Sequence, residues 1–93
     1  MKMATTQVNN PQGLHARSAA TIVKLATLFQ SSIELKNGAK VADAKNIMAL
    51  LLLEAAKGTH IIVCTNGVDE VQALTEMVEL IENNFGETNA PSA

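Results

Sequence analysis

Residues 33–43 read Ile-Glu-Leu-Lys-Asn-Gly-Ala-Lys-Val-Ala-Asp, and this stretch decides the fold class. Ile33 to Lys36 alternates apolar and charged side chains with the period of two that a half-buried strand requires. Asn37-Gly38 follows, a pair that tolerates positive φ at both positions and is the strongest short-range signal for a hairpin. Ala39 to Asp43 is then the returning strand, with Val41 expected to face inward. An antiparallel hairpin therefore lies at the centre of the chain.

Upstream, Ala19, Ile22, Val23, Ala26 and Phe29 recur at helical spacing, so a helix is expected from Ala16 until Gln30-Ser31-Ser32 breaks it. Asn10-Pro11-Gln12-Gly13 is a turn cluster, and Met3 to Asn9 reads as a weak strand with Val8 as its one strong strand former. Downstream, Asn46 to Glu54 reads as a short helix with Asn46 as its N-cap, ended by Lys57-Gly58. Ile61 to Cys64 is the clearest strand, bounded by Asn66-Gly67. Asp69 with Gln72 three residues on resembles a capping box opening a last helix, whose apolar face is Leu74, Met77, Val78 and Ile81. The order β-α-β-β-α-β-α, with one explicit hairpin, predicts an α+β domain: helices on one face of a small, largely antiparallel sheet.

Ninety-three residues fit one small domain, expected over 1–86, with the small polar residues 87–93 as a disordered tail. The net charge of −2 gives no basic footprint for nucleic acid. Two Phe, with no Trp or Tyr, leave almost nothing on which bases would stack. The longest apolar run, Ile47 to Leu53, is too short to cross a bilayer. The N-terminal residues hold no long apolar stretch of a secretory signal, and a single Cys64 forms no intramolecular disulfide. These features set the expectation of a cytoplasmic protein without membrane insertion.

Gly13-Leu14-His15-Ala16-Arg17-Ser18-Ala19-Ala20 is the segment with chemistry in it. His15 sits at a loop-to-helix junction. The backbone N–H groups of Ala16, Arg17 and Ser18 belong to the first helical turn and lack intrahelical acceptors. Together with the helix dipole they make an anion site. An imidazole there is a nucleophile beside a phosphate cradle, and Arg17 adds a charge suited to phosphoryl oxygens. The pattern fits covalent phosphoryl transfer through His. On local pattern alone a single His beside a turn is more commonly a solvent-exposed turn residue or a cap.

The same segment closely resembles the active-site pattern of HPr-type phosphocarriers: Gly, then Leu/Ile/Met, His, Ala/Thr/Ser, Arg, Pro, Ala/Ser. The resemblance runs through nearly the whole chain, taking in the Asn37-Gly38 hairpin, the short apolar second helix, Lys57-Gly58 and the Asn66-Gly67 turn. It implies an open-faced β-sandwich, a four-stranded antiparallel sheet covered on one face by three helices. It implies that His15 is phosphorylated on Nδ1 by phospho-enzyme I, charged from phosphoenolpyruvate, and that the group passes to an enzyme IIA domain. Arg17 would support the phosphorylated His. Such a chain is a stoichiometric carrier, not an enzyme with a substrate of its own, and a monomer is expected because one site must meet successive partners. The resemblance brings no cofactor.

Three positions depart from the family. Ser18 stands where Pro is usual. It restores an N–H and adds a hydroxyl, which either strengthens the cradle or loosens the first turn, at a stability cost of about 0.5–1 kcal/mol from the less restricted unfolded chain. Asn46 occupies the position of a regulatory, phosphorylated Ser found in many Gram-positive carriers, so that switch should be absent while helix capping survives. Glu54 replaces a common Gly, and an acidic residue there resembles the nitrogen-related paralogue of Gram-negative bacteria.

The second helix is apolar nearly all round. Leu50 and Leu53 are expected in the core, whereas the family points to Ile47, Met48 and Leu51 as the surface that docks both donor and acceptor, since exposed apolar patches mark interaction sites and Met suits several partners. His60 is the only other histidine, and no third ligand has metal spacing, so no metal is expected and His60 reads as a strand-surface residue. Cys64 reads as buried and inert. The competing function is a non-phosphorylated regulatory binding module on the same fold, against which the intact His15-Ala16-Arg17 counts. A nucleic-acid-binding α+β module is disfavoured by the acidic charge.

Overall fold

The computed structural model describes residues 1–86; the expected tail at 87–93 lies outside the described residues. The elements run β1 (Lys2–Gln7), α1 (Ala16–Ala26), β2 (Ser32–Asn37), β3 (Lys40–Asp43), α2 (Ile47–Leu51), β4 (His60–Asn66) and α3 (Glu70–Glu82), followed by a single 3₁₀ turn at Asn84–Gly86. The strands form one sheet in the order β1-β4-β2-β3. Every neighbouring pair is antiparallel, so the expected α+β architecture of a four-stranded antiparallel sheet with three helices is what the chain adopts.

Alternation along the strands assigns the two faces. Ile33 and Leu35 of β2, Ala42 of β3, and Ile61 and Val63 of β4 are all buried and point toward the helices. Ala19, Ile22 and Ala26 of α1 and Ala73, Met77 and Ile81 of α3 meet them from above, and Leu50, Leu53 and both phenylalanines complete the core. Full burial of an Ile or Leu side chain contributes about 1.5–3 kcal/mol, so this layer carries most of the fold's cohesion. Val23, Leu74 and Val78 pack at its margin, half-buried. Cys64 is buried as expected, at the centre of the sheet between Met3 and Glu34, and His60 opens β4 as an exposed strand residue.

The hairpin corrects one expectation. Its two-residue loop is Gly38-Ala39, because Asn37 pairs with Lys40 inside the ladder. Gly38 alone takes a positive φ, +60°, as the first central residue of a type II′ turn does. Moving the loop by one residue flips every side chain of the return strand. Ala42 therefore stands opposite Leu35 and is buried, while Val41 stands opposite Lys36 and is 53% exposed. Asn37, released from the turn, donates through Nδ2 to Leu53 O at 2.9 Å and ties the hairpin to the exit of α2.

A second correction concerns the start of α3. Asp69 precedes the helix, but its carboxylate makes no cap bond there. It reaches back to the α1–β2 turn and accepts from Gln30 N–H (2.9 Å), Ser31 N–H (2.9 Å) and the Ser31 hydroxyl (2.5 Å). Gln72 bonds Glu76 on the next turn instead of closing a box, and Glu70 accepts from Gly67 N–H at 3.0 Å.

Candidate functional site

The site begins at the turn that ends β1. Gly13 N–H donates to Asn10 O at 3.0 Å, and Asn10 Nδ2 donates to Gly13 O at 2.8 Å. Gly13 has φ +67°, and a Cβ on it would stand 2.6 Å from Ala55 O and 2.9 Å from Ala56 Cα. Only glycine meets both demands. Its neighbour Leu14 donates to Ala55 O at 2.8 Å. The loop that carries His15 is thereby fastened to the segment following α2, which brings the histidine and the apolar helix to the same side of the fold.

His15 is the N-cap of α1, with extended backbone (φ −134°, ψ −177°), and is half-buried. It and Ser18 face each other in a capping-box arrangement: the His15 N–H donates to Ser18 Oγ at 2.8 Å, while the His15 ring is turned toward the Ser18 backbone N–H without making a cap hydrogen bond. The Ser18 hydroxyl has His15 O at 3.1 Å and Gly13 O at 3.4 Å within donating reach. Ser18 is completely buried, whereas Ala16 and Arg17 are exposed. No acidic side chain lies in the first turn of α1, so the positive end of the helix dipole is not offset there. His15 and Arg17 both stand at the start of α1. His60 lies on β4, and among the described residues no group of His, Cys, Asp or Glu is arranged to hold a metal.

Asn46 caps α2, its side chain accepting from Ala49 N–H at 3.1 Å. Leu50 and Leu53 are buried; Ile47 is 37% and Met48 64% exposed, and Leu51 is half-buried. Leu52, 69% exposed, was not expected in the patch. The four-residue spacing to Met48, which sets both on one helix face, is the signal that could have found it. Beyond the helix, Glu54 takes φ +54°, a region that favours glycine, which gives the family's frequent Gly a backbone reason. Its carboxylate pairs with Lys40 Nζ, and that hydrogen bond and charge hold it below the usual carboxylate range.

Comparison with known proteins agrees with this geometry. The family model described as the PTS HPr component phosphorylation site matches residues 2–83. The phosphocarrier protein HPr of Cupriavidus necator is 37% identical over 94% of this chain and 98% of its own length. The phosphocarrier protein NPr of Proteus mirabilis is 36% identical over 86% of the chain and 90% of its own. DhaM of Providencia stuartii, the phosphoryl donor subunit of a PEP-dependent dihydroxyacetone kinase, is 40% identical over 92% of the chain, which spans only 18% of that protein. The crystal structure of HPr-C-His from Thermoanaerobacter tengcongensis superposes with a TM-score of 0.89 at 39% identity, covering 95% of this chain and 99% of that one. Fold and matched site region together define a phosphocarrier component of the phosphotransferase system. The chain belongs to the HPr family.

Proposed function

We propose that this chain accepts a phosphoryl group on His15 from phospho-enzyme I, charged from phosphoenolpyruvate, and hands it to an enzyme IIA domain in sugar transport or its regulation. The observation that carries the reading is the half-buried His15 at the start of α1, whose first turn holds no acid, inside the region matched by the family model. In loading, a His15 ring nitrogen forms the N–P bond as the donor's bond to phosphorus breaks; in unloading, that N–P bond breaks as the acceptor's bond to phosphorus forms. The chain ends the cycle with His15 restored. The backbone N–H groups of Ala16, Arg17 and Ser18 receive the phosphoryl oxygens, and the exposed Arg17 side chain adds a charge-assisted partner. No cofactor takes part. The working form is a cytoplasmic monomer that presents one site to donor and acceptor in turn.

Ile47, Met48 and Leu51, joined by Leu52, form the docking surface. Three of the four are substantially exposed apolar side chains, on the helix whose exit is bonded to the His15 loop. With Asn46 in place of Ser, this helix offers no hydroxyl for regulatory phosphorylation at that position.

The test is phosphotransfer from phosphoenolpyruvate through a cognate, active enzyme I, read by intact mass at neutral and acidic pH. A single acid-labile phosphoryl adduct, absent from His15→Ala, is expected. No adduct would overturn the reading in favour of a non-phosphorylated binding module. Met48→Glu should raise KM for enzyme I by about tenfold, as loss of a hot-spot apolar contact does, with the thermal midpoint unchanged. Unfolding of Met48→Glu would instead assign α2 to the core alone.

A further inference from the structure

Asn10 is completely buried, although it lies in the turn after β1 and not in a strand or helix. Buried amides are held by hydrogen bonds, and Asn10 Nδ2 donates to Gly13 O at 2.8 Å. That carbonyl belongs to the same peptide unit as the Leu14 N–H, which donates to Ala55 O at 2.8 Å. The unit is planar and trans, so its two polar groups point in opposite directions. One rigid plate is therefore gripped at both ends, by Asn10 on one side and by the segment after α2 on the other. The positive φ of Gly13 aims the plate, and the bond from Gly13 N–H to Asn10 O, 3.0 Å, closes the turn around it. Ser18 Oγ stands 3.4 Å from the same carbonyl, a long contact beside the one from Asn10. His15 is the next residue after the plate.

We propose that Asn10 is a positioning residue for phosphoryl transfer: by clamping the Gly13–Leu14 peptide against the exit of α2, its side chain sets where His15 stands relative to the docking helix. This inference rests on His15 being the phosphoryl acceptor. The turn bond from Gly13 N–H to Asn10 O uses main-chain atoms and is open to any residue at position 10, whereas the bond to Gly13 O needs a side-chain donor of the right reach. A carbonyl only accepts, so an apolar side chain there removes the plate's grip on the Asn10 side. The consequence is for geometry. A partner seated on Ile47, Met48 and Leu52 brings its reacting group to a fixed place, and an ångström of misplacement between reacting atoms costs up to about a hundredfold in rate. With the plate free to rock, docking is unchanged and attack is slower. Asn10 is buried and acts through the backbone, not by touching the phosphoryl group.

The experiment uses the full chain, Asn10→Ala, and Asn10→Ser, which leaves a smaller cavity but whose hydroxyl is too short to reach Gly13 O without moving the turn. Steady-state phosphorylation by enzyme I reads kcat and KM, and hydrogen exchange of the Leu14 amide, referenced to that of Val63 in the sheet, reads the clamp. Both variants should lower kcat about tenfold with KM unchanged, and Leu14 should exchange about tenfold faster relative to Val63. Asp69→Asn weakens a turn remote from the site and controls for lost stability; its kcat, KM and Leu14 exchange should stay native. A native kcat in the folded variants overturns the proposal, as does a raised KM with native kcat, which would place Asn10 in docking. An equal fall of kcat in Asp69→Asn overturns it as a general loss of stability, and failure of both Asn10 variants to fold makes Asn10 a residue of the fold alone. A native chain that loads no phosphoryl group overturns the carrier reading instead, and the Leu14 exchange then decides the clamp by itself.

Discussion

Helices α1 and α3 both start with backbone N–H groups that have no helical acceptor, yet the residues placed beside those groups differ in kind. At α1 the cap is a half-buried imidazole, the first turn holds no acid, and the hydroxyl of Ser18 faces the loop. At α3 two carboxylates crowd the start. Asp69 is consumed by three donors of the Gln30-Ser31 turn, and Glu70 accepts from Gly67 N–H and lies 3.3 Å from the N-terminal ammonium. A helix N-terminus is thus only a potential anion site. α3 brings its own negative charge, which fastens the turns of the sheet-helix frame, while the first turn of α1 holds no acid.

The most disruptive way to break this contrast is to give α1 the chemistry of α3. Ala16→Glu places a carboxylate in the exposed first turn beside His15. An acid there suits the dipole and should raise helix stability by about 0.3–1 kcal/mol. A carboxylate roughly 6 Å from a phosphoryl dianion, at an effective dielectric of about 40, opposes it by roughly 1–3 kcal/mol. The expected outcome is phosphoryl loading slowed about ten- to a hundredfold while the thermal midpoint rises slightly. The two readouts move in opposite directions, and parallel losses in both would mean that the first turn had simply been damaged. Full loading speed in Ala16→Glu would show that charge at the start of α1 does not matter.

The same contrast shows what the sequence made legible. The helix beginning at Ala16, the His15 cap position, the inward Ala19, Ile22 and Ala26, the hairpin and the Asn46 cap are all local: periodicity and capping chemistry act within a few residues, and each could be read from its own neighbours. Asp69 could not. Its spacing to Gln72 carries a local capping pattern, but the carboxylate is drawn to Ser31, which is distant in sequence and adjacent only once the sheet has formed. Val41 and Ala42 exchanged faces for a related reason. Asn37-Gly38 announces a turn without saying which two residues occupy its centre, and the side chain of Asn37 is held by Leu53 across the fold. Gly13 was legible as a turn residue, but its close approach to Ala55 and Ala56 belongs to tertiary structure alone. At the site, residue types were readable and the bonding of the Ser18 hydroxyl to the His15 loop was not, because resemblance to a proline-containing family predicts nothing about a hydroxyl there.

A smaller effect tests the other side of the contrast, at α3. The Ser31 hydroxyl, first, and the Gln30 N–H hold the Asp69 carboxyl below the usual carboxylate range. A carboxylate whose pKa is depressed by folding contributes stability above its unfolded value, about 3.9, and that contribution fades as pH falls through the lower folded value. Asp69→Asn removes the ionisable group and the charged acceptor while keeping the size. Its thermal midpoint should therefore lie below the native one at neutral pH, and the gap should narrow as pH drops from about 5 toward 2, since both proteins then lack the charge. Transfer through His15 at neutral pH should be unaffected at temperatures where both are folded, because the site is assembled at the opposite end of α1. A gap that stays constant with pH would mean that the Asp69 charge contributes nothing and that only the hydrogen-bond geometry joins the two turns. Impaired transfer in a folded Asp69→Asn would mean that the two helix starts are coupled, and that the frame at α3 helps to set the site at α1.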